Sequence, residues 1–150
     1  MNDDLPLSVT LEVYSTCLCM HTQRAARALG RVFDHALKPF GLTHGQFSLM
    51  MALNRPDAPL LSEVADLLGM DRTSLTAKLK ALEKRGLVSS APDETDRRGR
   101  RLTLTLAGQE ALISALPAWR ATHEMLNDQV NTDEQSTLKS LLGQIASTPS

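Results

Sequence analysis

A mainly helical α+β fold with one small β-hairpin is what this sequence predicts, and three observations predict it. Leu and Ala dominate while aromatic residues are only 3% of the chain, a composition that favours helices over sheets. Apolar residues recur with a helical period over Glu12–Lys38 and again beyond Ala107. Only Leu87–Ser90 and Arg101–Thr105 alternate as strands do, and a loop of about ten residues holding Pro92 and Gly99 joins them.

Residues 1 to 11 read as a loose start. From Glu12 to Lys38, Leu18, Thr22, Ala25, Ala26, Ala28, Leu29, Val32, Phe33, Ala36 and Leu37 fall on one half of a helical wheel. Gln23, Arg24, Arg27, Gly30, Arg31, Asp34 and Lys38 fall on the other. Pro39-Phe40-Gly41 ends this helix. Thr43 is placed to cap a second helix through Gln46–Leu53, and Ser62 to cap a third. Gly69 breaks the third, and Asp71 caps a fourth whose Leu75, Leu79 and Leu82 form an inward stripe. Gly86 closes it. After the hairpin, Leu112, Ile113, Leu116, Trp119, Met125, Leu126 and Val130 mark a long helix, kinked at Pro117. Thr132 or Asp133 starts a last one with Leu138, Leu141, Leu142 and Ile145.

Two short helices joined by a Gly turn, followed by a basic-tipped hairpin, make a winged helix-turn-helix, and such a pair places its second helix in a DNA major groove. Net charge is only −1, but Asp71–Arg101 holds nine basic residues against five acidic, leaving the remainder at −5. A basic patch on an acidic protein is a footprint for an anionic partner. On the fourth helix Arg72, Thr73, Ser74, Thr76, Ala77 and Lys80 lie early or off the leucine stripe, where short side chains allow close approach to base edges and phosphates. The alternative to DNA contact is that Thr73 and Ser74 merely support the helix start. In the hairpin, Arg97, Arg100 and Arg101 offer phosphate contacts.

Four segments resemble the MarR family of bacterial transcriptional regulators: Gly41-Leu42-Thr43-x-x-Gln46-Phe47, Leu61-x-x-Val64-Ala65, Leu82-Glu83-x-x-Gly86-Leu87-Val88, and Asp96-x-Arg98-x-x-x-Leu102-x-Leu104-Thr105. The resemblance implies a homodimer with a DNA-binding lobe at 41–106. A helical dimerisation lobe would form from 1–40 with 107–150. It implies that Arg98 enters a minor groove, where a narrow groove favours Arg, and that Asp96 orients it. The expected function is a sequence-specific DNA-binding repressor acting on a palindromic operator in double-stranded DNA and released by a small aromatic or phenolic effector.

Cys17 and Cys19 are too few for a disulfide framework. On a continuous helix they would point about 200° apart, out of reach of each other or of one metal. Cys19 matches the reactive cysteine of organic-hydroperoxide sensors in the family, so a thiol-based redox repressor is the alternative. The tyrosines those sensors use are Gln23 and Phe33 here. His21 and His44 are placed to line a pocket between the lobes, and His35 and His123 to sit on the surface. No catalytic constellation, phosphate-binding Gly loop, metal-ligand set or cofactor motif is legible, which leaves a cysteine-dependent enzyme without support. A helical module binding acidic protein would leave the helix-turn-helix unexplained. No apolar run is long enough to span a bilayer, and the acidic N-terminus lacks a secretion-signal layout, so the expectation is a cytoplasmic protein.

Overall fold

The computed structural model describes residues 4–95 and 99–148. Its helices are α1 (Leu7–Thr16), α2 (Leu18–Leu37), α3 (His44–Ala52), α4 (Leu61–Leu68) and α5 (Arg72–Lys84), then α6 (Leu106–Asn127) and α7 (Thr132–Ala146). Strands β1 (Val88–Pro92) and β2 (Arg100–Leu104) follow α5 and pair antiparallel, with Val88 opposite Leu104 and Ser90 opposite Leu102. The mainly helical fold with one two-stranded sheet is therefore as expected. Just before α4 the backbone lies against the hairpin: Leu102 N–H donates to Pro59 O at 2.9 Å, and Leu60 bridges to Arg101.

Most of the expected boundaries hold. Thr43 and Gln46 form a reciprocal capping box at α3. Gly69 and Gly86 end α4 and α5 at φ 59° and 70°, the left-handed conformation that glycine adopts without strain. Some details differ. The N-terminal helix starts at Leu7, not near Glu12, and breaks at Cys17, whose extended backbone makes it the N-cap of α2. Helix α4 starts at Leu61 without a Ser62 cap; the Glu63 carboxylate accepts from Leu60 N–H at 2.8 Å instead. Helix α7 starts at Thr132 as expected, capped by Asn131. Gly30, assigned to the polar half of the wheel, is buried beneath the His44 ring, 3.1 Å from Cε1 to where a Cβ would stand. Helix α6 passes through Pro117 without interruption.

The core gathers Leu37, Leu42, Leu49, Met50, Leu53 and Val64 with the α5 stripe Leu75, Leu79 and Leu82. Leu102 and Leu104 of the hairpin and Leu112 and Ala115 of α6 complete it. Nothing in α1 or α7 is buried, although Leu7, Leu11, Val13, Tyr14, Leu138, Leu141, Leu142 and Ile145 are all apolar or aromatic. The two ends of the chain thus carry apolar surface that the single protomer leaves in water.

Candidate nucleic-acid interface

Helix α5 is held from beneath by its leucines and from its start by Asp71. The Asp71 carboxylate accepts from the Ser74 hydroxyl at 2.6 Å and from Ser74 N–H at 2.8 Å. These two bonds, the hydroxyl first, keep the Asp71 carboxyl below the usual carboxylate range. Ser74 therefore supports the helix start rather than offering a free hydroxyl. Thr76, half-buried, donates its hydroxyl back to Arg72 O at 2.6 Å. Thr73, Ala77 and Lys80 lie exposed on the face opposite Leu75 and Leu79, and among the described residues Thr73 and Lys80 have no side-chain partner. The outer face of α5 is thus short side chains with the exposed Lys80 and, one turn on, the exposed Lys84.

The hairpin is fastened to α5 by a polar chain. The Arg100 guanidinium donates to the Ser90 hydroxyl, which donates to the Glu83 carboxylate, with Arg100 and Glu83 4.0 Å apart. Between α4, α5 and the hairpin lies an open groove of about 390 Å³ walled by Leu61, Ser62, Arg72, Thr76, Gly99 and Arg100. Arg72 and Arg100 face it from opposite sides, as an anionic backbone would require. Arg101 departs from its expected role. It pairs with the buried Asp93 at 2.8 Å and donates to Ala58 O at 2.7 Å, so it braces the hairpin instead of reaching for phosphate. Asp93 also accepts from the Thr95 amide and hydroxyl. Asp96, Arg97 and Arg98 lie outside the described residues.

A second feature sits where α2, α3 and α6 meet. Phe33, Leu37, Phe47, Ser48, His44, Trp119 and His123 line a cavity of about 210 Å³. It adjoins one of about 270 Å³ that extends past Met51 and Leu116. Rings meet closely here: His123 lies 4.8 Å from Phe33 and 4.2 Å from Trp119, centroid to centroid. Burial, with the charge of Lys139 adding to it, lowers the pKa of His123 and favours the neutral ring. His123 therefore belongs to the cavity and not to the open surface. His21 does not line it and bonds to Tyr14 O at 3.0 Å instead. His44 does, with Nδ1 2.8 Å from Asp34 Oδ1, while its backbone N–H donates to the same oxygen at 2.7 Å. Desolvation pushes the Asp34 carboxyl up, but these two bonds and the charges of His44 and Lys78 outweigh it and hold it below its ordinary range.

At the α1–α2 break, Cys17 Sγ accepts from Met20 N–H at 3.4 Å, so Cys17 caps α2 rather than riding on it. Cys19 is exposed, and the Gln23 amide donates to its sulfur at 3.2 Å while accepting from Arg27 at 3.1 Å. No cluster of three or more His, Cys, Asp or Glu able to hold a metal occurs among the described residues.

The interface elements are those of a known family. The MarR family model matches residues 42–99. The transcriptional activatory protein BadR of Rhodopseudomonas palustris is 35% identical over 124 residues, covering 79% of this chain and 71% of BadR. The chain belongs to the MarR family. Its fold superposes on the crystal structure of the Mycobacterium tuberculosis regulator MosR in complex with DNA with a TM-score of 0.77 at 37% identity, covering 87% of this chain and 96% of MosR. The transcriptional repressor CouR, bound to a 23-mer DNA duplex, gives 0.77 at 32% identity, covering 89% and 95%. This MarR-family chain is accordingly a DNA-binding transcriptional regulator with a winged helix, and not an enzyme. No helix among the described residues is long and apolar enough to cross a membrane.

Sequence reasoning missed the hairpin's two anchors, Glu83–Ser90–Arg100 and Asp93–Arg101. Each joins residues that look like one solvated charge run. The alternation of Ser90 and Arg100 about the paired strands was the available signal.

Proposed function

We propose that this chain works as a homodimeric repressor that binds a palindromic operator and is released by a small aromatic or phenolic effector. The observation that carries the reading is the outer face of α5, where Thr73, Ala77 and Lys80 stand unpartnered beside a groove flanked by Arg72 and Arg100. Residues 41–106 would read DNA, with Thr73 and Lys80 on α5, Arg72, Thr76 and Arg100 at the groove, and Asp96, Arg97 and Arg98 at the hairpin tip. Residues 1–40 with 107–150 would pair two copies, since the apolar faces of α1 and α7 need a cover. That MosR and CouR are both seen on DNA supports the partner.

The effector would sit in the cavity beside Trp119. Phe33, Phe47 and Trp119 offer stacking surfaces, and His44 and His123 offer ring nitrogens to a phenol or carboxylate. Occupancy would favour a dimer shape in which the two α5 helices no longer match the half-sites.

The test is an anisotropy titration against duplex DNA from upstream of the chain's own coding sequence, across a range of salt. Specific binding that weakens with salt is expected. Lys80→Ala should reduce the salt slope by about one, and Arg98→Ala should cost about 1–3 kcal/mol at the base step it reads. Aromatic acids and phenols added to the complex should release DNA as they quench Trp119, the one tryptophan in the chain. Binding without sequence preference or salt dependence would overturn the reading.

One observation favours a second switch. The Cys19 sulfur is exposed and receives a donor backed by the Arg27 guanidinium, surroundings suited to a reactive thiol. On that reading an organic hydroperoxide oxidises Cys19 and DNA is released. Cys19→Ser should then hold DNA through peroxide treatment; release equal to the parent's rules the thiol out.

A further inference from the structure

Asp93 and Arg101 are not among the residues that carry the family resemblance, yet they fasten the hairpin. Successive strand residues face opposite ways, so Arg100 turns to Ser90 and the groove while Arg101 turns to the other face. There one guanidinium serves two acceptors: it pairs with the Asp93 carboxylate at 2.8 Å and donates to Ala58 O at 2.7 Å. The Asp93 side chain is only 3% exposed, and a carboxylate buried so deeply needs a cation and further donors to keep its charge. Besides Arg101 it takes the Thr95 amide at 2.7 Å and the Thr95 hydroxyl at 2.8 Å, while its own N–H donates to Gly99 O at 2.9 Å. The backbone repeats the connection: Leu102 N–H donates to Pro59 O, and Leu60 bridges to Arg101. Residues 58–60 lead directly into α4, so Arg101 ties β2 and the end of β1 to the start of that helix.

We propose that Arg101, held by Asp93, is a positioning residue for DNA binding: it fixes the hairpin against the start of α4 and so sets the width of the groove between Arg72 and Arg100. Leu60, Leu61 and Ser62 form one wall of that groove, and Gly99 and Arg100 form another. A two-stranded hairpin has little stability of its own, so its placement depends on what it is tied to. Without the tie Arg100 shifts against Arg72, and the two guanidinium groups are no longer spaced to meet one anionic backbone. Arginine suits the role because its planar fork reaches Asp93 and Ala58 O together, whereas a lysine ammonium is a single point charge. Arg101 touches no DNA in this arrangement; it acts through the placement of Arg100. The inference rests on the DNA-binding role of the chain.

The test uses the full chain and the same upstream duplex, with anisotropy read on protein shown folded by circular dichroism. Charge alone and the tie predict opposite signs for Asp93→Asn. Removing a negative charge beside the groove would by itself tighten binding to DNA. Loss of the tie should weaken binding roughly five- to tenfold, the lower range of coupling energies. Arg101→Lys keeps the positive charge and should weaken binding equally, with the slope of log affinity against log salt unchanged because no phosphate contact is lost. The double variant should be no weaker than either single one, because both remove one tie. A role in folding alone would lower the melting temperature and leave the affinity of the folded protein at or above the parent's. Asp93→Asn binding like the parent or tighter overturns the inference. So does Arg101→Lys binding like the parent, or with a slope lower by about one, either of which would make residue 101 a phosphate contact. If Asp93→Asn does not fold, Arg101→Lys decides alone, since that side chain is 43% exposed. A parent that binds no duplex with preference sinks the DNA reading as well; a parent that binds while the variants match it sinks only this proposal.

Discussion

Gly108→Ala is expected to lose about 3 kcal/mol or more of folding stability, the upper end of what overpacking costs, because nothing around the new methyl can move aside. Gly108 is buried in the first turn of α6. A Cβ there would overlap the carbonyl oxygen of Leu87 and stand 2.7 Å from Leu104 Cδ1. The Leu87 carbonyl is not free to shift, since it already accepts from Thr105 N–H at 3.1 Å. Thr105 in turn caps α6 by accepting from Gly108 N–H at 3.0 Å, and donates its hydroxyl to Gly86 O at 2.7 Å. The end of α5, the base of the hairpin and the start of α6 therefore meet at one glycine. Urea unfolding checks this, read at fixed protein concentration because the proposed homodimer would make stability depend on it. Gly143→Ala is the contrast: it lies in α7 with open space around it. There alanine should add up to about 1 kcal/mol, through helix propensity alone. Equal midpoints for the two variants would show that α6 does not approach Leu87 so closely.

Gly108 also shows where the sequence stops being legible. Gly41, Gly69 and Gly86 follow helical runs and announce themselves as stops. Gly108 follows Thr105 by three residues inside a helix, and only the crossing of α6 over Leu87 gives it a reason. Periodicity located every helix after α2 because Leu and Ala recur at the right spacing and each segment ends in a residue with a physical cue. It failed at α1, where apolar side chains such as Leu7, Val9, Leu11 and Val13 alternate along a helix that buries nothing in its own protomer.

The candidate site divides in the same way. Thr73 and Lys80 were legible because the leucine stripe fixes which face is outward. Thr76 and Arg101 were not, since side-chain bonds to Arg72 O and to Asp93 depend on local geometry or on chain reversal. His44 and Asp34 are ten residues apart across the Lys38–Phe40 turn. Their pairing needs α2 and α3 packed together, which no spacing rule contains.

Leu82→Ala should destabilise the fold by about 2–5 kcal/mol, the range for a fully buried leucine whose cavity cannot collapse. Leu82 is 0% exposed and sits in the last turn of α5. Its carbonyl accepts from Leu87 N–H and from Arg85 N–H, both at 3.1 Å, so the residue anchors the side chain of the helix and the backbone of the turn into β1 together. The next residue, Glu83, holds Ser90 and, through it, Arg100. Loss of the Leu82 side chain should therefore loosen α5 relative to the hairpin before the protein unfolds outright. Below the melting transition the variant should bind the upstream duplex more weakly. The salt slope should stay unchanged, because every cation is still present and only the alignment of helix with hairpin is lost. Two measurements separate the effects: urea unfolding for the stability, and anisotropy on protein shown folded by circular dichroism for the alignment. A variant with the parent's unfolding midpoint would mean that the inward stripe of α5 does not end at Leu82. A normal midpoint together with weakened DNA binding would move Leu82 from the core to the reading face, which the burial of all three stripe leucines argues against.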